Sequence, residues 1–128
     1  MFQKEVGERI LATHGSKQYG RLSVITQSRC KIKKLIVAKS KIFNPEPKVD
    51  GIVLEFTPHS KNIDMDIKNL EIIVRNAFSQ RRKKIKTSLS SYIHYLDKLS
   101  INSDLRPENL SVTEYCKLAK LMKWALLL

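Results

Sequence analysis

Two prolines at alternate positions, Pro45 and Pro47, create a stiff segment in the middle of this chain, just before a β-type run from Gly51 to Phe56. Each proline fixes its own φ angle and pushes the residue before it towards extended geometry. We therefore predict a rigid arm that presents Phe43 and loses little entropy when it binds a planar partner. The alternative is a proline-rich connection before an edge strand, with Phe43 packed in the core, because aromatic side chains are usually buried.

The spacing of apolar residues predicts helices and strands around this arm. The expected elements are helices over Gln3–Thr13 and Tyr19–Arg29 and paired strands over Lys31–Ala38 and Gly51–Phe56. The second helix is expected to carry Leu22 and Ile25 on one face. We therefore expect an α/β arrangement for the first half of the chain.

From about Asp64 the apolar pattern becomes helical. One helix face is predicted to contain Ile67, Leu70, Val74, Ala77 and Phe78. A second helical segment is predicted over Ser88–Leu99, and Ser111 with Glu114 forms a capping box that opens a last helix through about Met122. We therefore predict an α/β part over residues 1–58, a linker over residues 59–65 and a small all-α domain over residues 66–128.

Five motifs occur in order along the chain: Gln3–Val6, Gly15–Val24, the Phe43 arm, Ala77–Lys83 and Leu110–Tyr115. From Met1 to about Met122 this series closely resembles the small-subunit ribosomal RNA adenine dimethyltransferases of the KsgA type. The resemblance implies that the intact enzyme transfers methyl groups from S-adenosylmethionine to adenosines of small-subunit rRNA. It also implies that Phe43 stacks on the flipped target base, and that the two strands form an antiparallel pair at the edge of a mostly parallel, Rossmann-like sheet.

Members of that family open with a half that binds the methyl donor through a Gly-rich loop, an acidic residue and an Asn-Leu-Pro-Tyr segment. No such segment occurs here, and none of the four glycines forms a Gly-x-Gly pair. We therefore expect the C-terminal half of such an enzyme, as a truncated gene product or a fragment, that docks on rRNA and binds no S-adenosylmethionine alone. The alternatives are a non-catalytic rRNA-binding or ribosome-assembly module and a decayed gene product.

Composition favours a polyanionic partner independently of the resemblance. Lys and Arg outnumber Asp and Glu 24 to 12, the pI is about 9.9, and nucleic acid is the commonest polyanion in the cytoplasm. Arg29–Lys41 and Arg75–Lys86 contain no acidic residue. The predicted RNA contacts are Lys17, Tyr19 and Arg21 in and beside a glycine-bracketed loop, Lys48 in the arm, and Gln80, Arg81, Arg82, Lys83, Lys84 and Lys86. The alternatives are a solvated basic turn, and a surface loop with Tyr19 packed on the sheet.

The remaining residue types point to no further chemistry. Cys30 and Cys116 are widely separated and lack a Cys-x-x-Cys pair, so we expect two packing residues and neither a disulfide nor a metal site. The longest apolar run, Trp124–Leu128, is far shorter than a membrane span, and the first residues contain no apolar signal region. We expect a cytoplasmic protein, and the pattern leaves its oligomeric state open.

Overall fold

The computed structural model describes residues 1–59 and 67–126, with side chains through residue 122. In chain order the elements are β1 (Phe2–Gln3), α1 (Lys4–Leu11), α2 (Arg21–Arg29), β2 (Cys30–Ala38), β3 (Gly51–Pro58), α3 (Ile67–Ser79), α4 (Ile85–Ser88), α5 (Ile93–Lys98) and α6 (Val112–Leu126). Short 3-10 turns occur at Ser40–Ile42, Ser90–Tyr92 and Pro107–Asn109. The described chain is therefore an α/β structure in which all strands precede residue 59.

The sheet has three strands in the order β1-β3-β2, and both pairs are antiparallel. Next to the arm, Ala38 pairs with Gly51. A register shift between Lys34 and Ile36 leaves Leu35 without an opposite residue, which is the signature of a bulge. The predicted pairing of β2 with β3 is confirmed. The described strands contain no parallel pair, so the mostly parallel sheet implied by the resemblance is not seen within them.

Helix α1 packs on the sheet through a glycine. Gly7 is buried, and a Cβ atom built there would lie 2.1 Å from Cγ2 of Ile52, which is also buried. Ile10, one turn later on α1, is buried as well. The backbone of α1 therefore approaches β3 more closely than any side chain at position 7 would allow.

Helix α2 buries a different face from the predicted one. Leu22 is 41% exposed and Ile25 is only partly buried, whereas Ser23 and Val24 are fully buried. The hydroxyl of Ser23 donates a hydrogen bond to the carbonyl of Arg9 on α1. A polar side chain can be buried when its hydrogen bond is made inside the protein, and the apolar pattern alone does not reveal such a partner.

Helices α3 and α6 follow their predicted patterns. Leu70, Val74 and Ala77 are buried along α3. At the start of α6 the amide of Ser111 donates to Oε1 of Glu114 at 3.0 Å, and the amide of Glu114 donates to Oγ of Ser111 at 3.2 Å. The capping box is therefore confirmed, and α6 continues past its predicted end.

The helical segment predicted over Ser88–Leu99 is not one continuous helix. The chain forms α4, a 3-10 turn and α5 instead, and Leu89 leaves helical geometry at φ −113° and ψ 34°. Three serines surround this break, and serine favours the interior of a helix less than alanine or leucine does. The break still allows both Leu89 and Leu96 to be fully buried.

One hydrophobic core contains residues from both halves of the chain. Tyr19 and Val24 belong to the same buried cluster as the apolar residues of α3 and α6, and α2 contacts both of these helices. The predicted linker over residues 59–65 lies outside the described residues except for His59, whose amide donates to the carbonyl of Arg29 at 3.1 Å. The division into domains at residues 58 and 66 therefore stays a prediction.

Substitution Gly7→Ala tests the close packing of α1 on β3. Alanine favours helix over glycine by about 1 kcal/mol, but the added methyl would overlap a stiff β-branched side chain. We expect the free energy of unfolding to fall by about 1–3 kcal/mol, because overpacking dominates. Urea denaturation measures this change.

The matched control is Glu8→Ala on the same helix, where the exposed ion pair with Lys4 spans 3.8 Å. Such a surface pair is worth under about 0.5 kcal/mol, so this variant should unfold like the unsubstituted chain. A Gly7→Ala variant as stable as the control would show that α1 does not sit against Ile52 as described.

Candidate RNA-binding surface

The arm between β2 and β3 is closed at its base by Asp50. Its Oδ1 accepts a hydrogen bond from the amide of Ser40 at 2.9 Å, and its Oδ2 lies 3.5 Å from Nζ of Lys39. The carbonyl of Asp50 accepts a further bond from the amide of Lys4. The amide of Ser40 and the charge of Lys39 lower the pKa of the Asp50 carboxyl below its ordinary value. The two ends of the arm are therefore tied together and to the start of α1.

Phe43 lies within this closed arm and outside the hydrophobic core. Its side chain is half-buried, its amide donates to the carbonyl of Ser40 at 3.2 Å, and it is absent from the core cluster. Neighbouring Ile42 and Val49 are largely exposed, and so is Lys48. The alternative with Phe43 in the core is therefore wrong, while its role in holding a base stays a prediction.

Tyr19 lies in the core, and this corrects its predicted contact with RNA. The residue is 0% exposed, its hydroxyl donates to the carbonyl of Leu110 at 2.7 Å, and its ring meets Phe78 edge to face at 6.0 Å. Burial raises the pKa of the hydroxyl well above its ordinary value. A fully enclosed ring has no face for a base to stack on. Nor does Tyr19 pack on the sheet, because the core cluster to which it belongs contains no residue of β1, β2 or β3.

Arg81 also turns inward rather than standing free for RNA. Its Nη1 donates to the carbonyl of Tyr19 at 2.5 Å, and its Nη2 donates to the carbonyls of Lys17 at 2.7 Å and Ser16 at 3.2 Å. The same Nη2 lies 3.3 Å from Oε2 of Glu108. These bonds contradict the alternative of a solvated basic turn for this residue, while its contact with RNA stays a prediction. Arg81 joins the loop of the first half to the turn after α3.

The other predicted cations divide into two groups. Nζ of Lys86 and Nζ of Lys84 lie 3.1 Å and 3.6 Å from the same oxygen of Asp104, and these two lysines lower the pKa of that carboxyl. A second group makes no side-chain hydrogen bond or ion pair with any described residue: Lys17, Arg21, Lys48, Arg82 and Lys83. These five side chains are exposed, and so is Gln80. Among the predicted RNA contacts, these five cations are the ones most available to a polyanion.

The Arg81 contact brings the loop and the basic turn to one place on the surface. An open cleft of about 520 Å³ lies there, lined by Lys17, Gln18 and Arg81 among others, with Glu5 and Glu8 of α1 on its wall. The sequence pattern does not single out Glu108 or Asp104, although each carboxylate is paired with predicted RNA contacts. Their role as partners of these cations is visible only in the folded structure.

Of the two cysteines predicted to be packing residues, Cys116 has this role in the structure. Cys116 packs against the core, and burial raises the pKa of its thiol to about 11, so it stays protonated at neutral pH. In the described ranges no three His, Cys, Asp or Glu side chains are grouped closely enough to hold a metal ion. No helix of those ranges has the length and apolar character needed to cross a membrane.

Comparisons with known proteins agree on one family. A family model described as ribosomal RNA adenine dimethylase matches residues 1–123. Two proteins named ribosomal RNA small subunit methyltransferase A are each 44% identical to this chain. The one from Buchnera aphidicola subsp. Acyrthosiphon pisum aligns with 93% of this chain and 45% of its own length, and the one from Legionella pneumophila (strain Corby) with 94% and 48%. This chain thus spans about half the length of the curated relatives it matches.

Solved structures give the same match at the level of the fold. A dimethyladenosine transferase from Plasmodium falciparum superposes with a TM-score of 0.84 at 25% identity, covering 96% of this chain and 55% of that one. The 23S rRNA methyltransferase ErmE superposes with a TM-score of 0.61 over 94% of this chain and 52% of its own, and at 17% identity it shows a shared fold alone.

The closure of the arm by Asp50 should depend on pH. The folded pKa is lowered, so the closure contributes stability at pH values above 3.8, the ordinary value, and is lost as the pH falls through the lower folded pKa. We expect the Ser40 amide signal in an NMR titration to shift with a midpoint below 3.8. The shift should vanish in Asp50→Asn and persist in Asp97→Asn, an exposed aspartate on α5. A midpoint at or above the ordinary value would contradict the described closure.

Proposed function

Because this chain belongs to the ribosomal RNA adenine dimethylase family, we propose that it is the rRNA-docking part of a small-subunit rRNA adenine dimethyltransferase. The intact enzyme would transfer methyl groups from S-adenosylmethionine to the N6 amines of adenosines. The partner of this chain would be small-subunit rRNA or the ribosomal subunit that contains it, in the cytoplasm. The relatives named ribosomal RNA small subunit methyltransferase A support this substrate class.

The observation that carries the proposal is the group of unpaired cations around the arm, the loop and the turn. Lys17, Arg21, Lys48, Arg82 and Lys83 offer their charges without a competing carboxylate among the described residues. Cations of this kind displace the counterions of a phosphate backbone and position the protein on it. Gln80 adds an amide that can donate to and accept from sugar or base edges.

We propose that the chain has two parts with different tasks. Residues 1–58 would be the last part of a Rossmann-like methyltransferase domain, and residues 66–128 a helical RNA-binding domain after a linker over residues 59–65. The order of the elements supports this division, since every described strand precedes residue 59 and every described element after residue 66 is helical. The first part would bring Phe43 to the target, and the second would supply the basic turn.

Phe43 is the residue through which the first part would act on a base. In this proposal the target adenine leaves its stack and rests against the ring of Phe43, which the closed arm holds in place. The hydrogen bond between Asp50 and the amide of Ser40 limits the movement of that arm. Holding the adenine in one orientation lowers the entropic cost of aligning its amine with a methyl group.

The residues described here do not fit S-adenosylmethionine. Such donors need a glycine-rich turn between a strand and a helix, yet β1 passes directly into α1 at Gln3–Lys4. Gly7 is buried in helix packing and Gly51 lies within a strand. We therefore assign no step of methyl transfer to this chain. The same mismatch favours a second candidate, a non-catalytic rRNA-binding or ribosome-assembly module or a decayed gene product.

Binding of small-subunit rRNA as a function of salt tests the docking proposal. Each phosphate contact contributes about 0.7–0.9 to the slope of log K against log salt. We expect Arg82→Ala combined with Lys83→Ala to reduce the slope by about 1.4–1.8, whereas Lys98→Ala, at the exposed end of α5, should leave it unchanged. Equal affinity of the chain for rRNA and duplex DNA, or an unchanged slope in the double variant, would contradict docking on rRNA.

Methyl transfer by the purified 128-residue chain is expected to be absent. Labelled S-adenosylmethionine and under-methylated small ribosomal subunits should give no incorporation above a heat-inactivated control, because the chain offers no cradle for the donor. Incorporation above that control would overturn the assignment of this chain to docking alone.

A further inference from the structure

We propose that Arg81 is a positioning residue, which holds the loop Gly15–Gly20 so that Lys17 faces RNA, and that it is not itself a phosphate ligand. This inference rests on the proposed docking function and adds a division of labour within the basic turn. Arg81 and Arg82 are adjacent in sequence, yet the structure gives them different surroundings. Arg81 is bonded inside the protein, and Arg82 is exposed.

Both Nη atoms of the Arg81 guanidinium already have acceptors inside the protein. Its Nη2 carries two hydrogens and faces three acceptors, namely the carbonyls of Ser16 and Lys17 and the carboxylate of Glu108. Its Nη1 is bonded to the carbonyl of Tyr19 at 2.5 Å. Only 35% of the side chain is accessible, and the paired carboxylate offsets its charge. A phosphate would have to displace these partners before it could bind.

The loop itself depends on contacts from the second half of the chain. It lies between α1 and α2, and Gly15 adopts φ +88°, a left-handed conformation that suits glycine. The amide of Gly15 donates to the carbonyl of Glu108 at 2.6 Å, and the hydroxyl of Tyr19 donates to the carbonyl of Leu110. Between these two anchors, Arg81 binds the carbonyls of Ser16, Lys17 and Tyr19, which precede it in the chain by 62 to 65 positions.

These contacts fix the backbone of the loop and leave the side chain of Lys17 exposed. Lys17 accepts the bond from Arg81 with its carbonyl, while its side chain is exposed and makes no ion pair or hydrogen bond with the described residues. A fixed backbone reduces the entropy that an exposed lysine loses when it binds a phosphate. The positive charge of Lys17 therefore acts on RNA, and Arg81 determines where that charge lies.

Lysine cannot replace arginine in this role. Its single ammonium is a point charge, whereas the planar guanidinium reaches several acceptors at fixed angles. Arg81→Lys keeps the net charge of the surface but cannot hold the carbonyls of Ser16, Lys17 and Tyr19 together. A phosphate ligand would tolerate this substitution far better than a positioning residue, and this difference makes the proposal testable.

The test is a double-mutant cycle on rRNA affinity with Arg81→Lys and Lys17→Ala in the full chain. At 50 mM salt the loss of one phosphate contact weakens binding about tenfold. We expect Lys17→Ala and Arg81→Lys each to lose roughly that factor, and the double variant to lose no more than about twofold beyond either. Arg82→Lys is the comparison for a phosphate ligand: it keeps its charge, so it should lose much less affinity than Arg81→Lys.

Arg81→Lys binding as tightly as Arg82→Lys, or losses that multiply in the double variant, would overturn the positioning role. A second readout does not depend on RNA. The endoprotease Lys-C cuts the Lys17–Gln18 bond, whose carbonyl is the acceptor of the 2.7 Å bond from Arg81. Under native conditions we expect this cut to be faster in Arg81→Lys than in Arg82→Lys, as measured by mass spectrometry of the fragment of residues 1–17.

Glu108→Gln covers the case in which Arg81→Lys fails to fold. It removes the ion pair but leaves the three carbonyl bonds of Arg81, so its rate of cutting at Lys17 should lie between the unsubstituted chain and Arg81→Lys. If both variants were cut after Lys17 at the rate of the unsubstituted chain, Arg81 would not position the loop. Absence of rRNA binding by the unsubstituted chain would instead contradict the proposed function, so the two failures are distinguishable.

Discussion

The bonds from the Arg81 guanidinium to the carbonyls of Ser16, Lys17 and Tyr19 are the constraint on which the rest of this surface depends. Hydrogen bonds from a charged donor contribute about 1.5–3 kcal/mol each, more than neutral ones. They join the loop between α1 and α2 to the turn after α3, and the hydrophobic core likewise contains side chains from both halves of the chain. The position of the loop is therefore set by residues far away in sequence.

The charges of this basic chain are not equivalent. Arg81 is matched by Glu108, and Lys84 with Lys86 share Asp104, so three of the cations in the turn region already have carboxylate partners. Exposed pairs of this kind contribute little to stability, but they compete with phosphate for the lysines. Arg82 and Lys83 have no such competitor among the described residues, so within this turn the unpaired charges lie in the middle.

Local patterns in the sequence predict the elements whose partners lie nearby. The pairing of β2 with β3, the buried face of α3 and the capping box of Ser111 and Glu114 are all confirmed. Contacts across the chain are not predictable in this way. The buried hydroxyl of Tyr19 donates a hydrogen bond to the carbonyl of Leu110. The hydroxyl of Ser23 donates to the carbonyl of Arg9, so that Ser23 is buried while Leu22 is exposed. The basic motif around Arg81 stays a predicted RNA contact, and its sequence does not show that the Arg81 guanidinium is bonded to the carbonyls of Lys17 and Tyr19.

The most direct test of this account is an NMR titration of the arginine guanidinium signals with a fragment of small-subunit rRNA. In the free chain the Arg81 signals should exchange slowly with water, because both Nη atoms are bonded inside the protein. We expect them to stay in place on binding, while the Arg82 signals shift. If the Arg81 signals exchanged as fast as those of Arg82 and shifted with them, both arginines would contact RNA. This result would contradict the claim that Arg81 positions the loop.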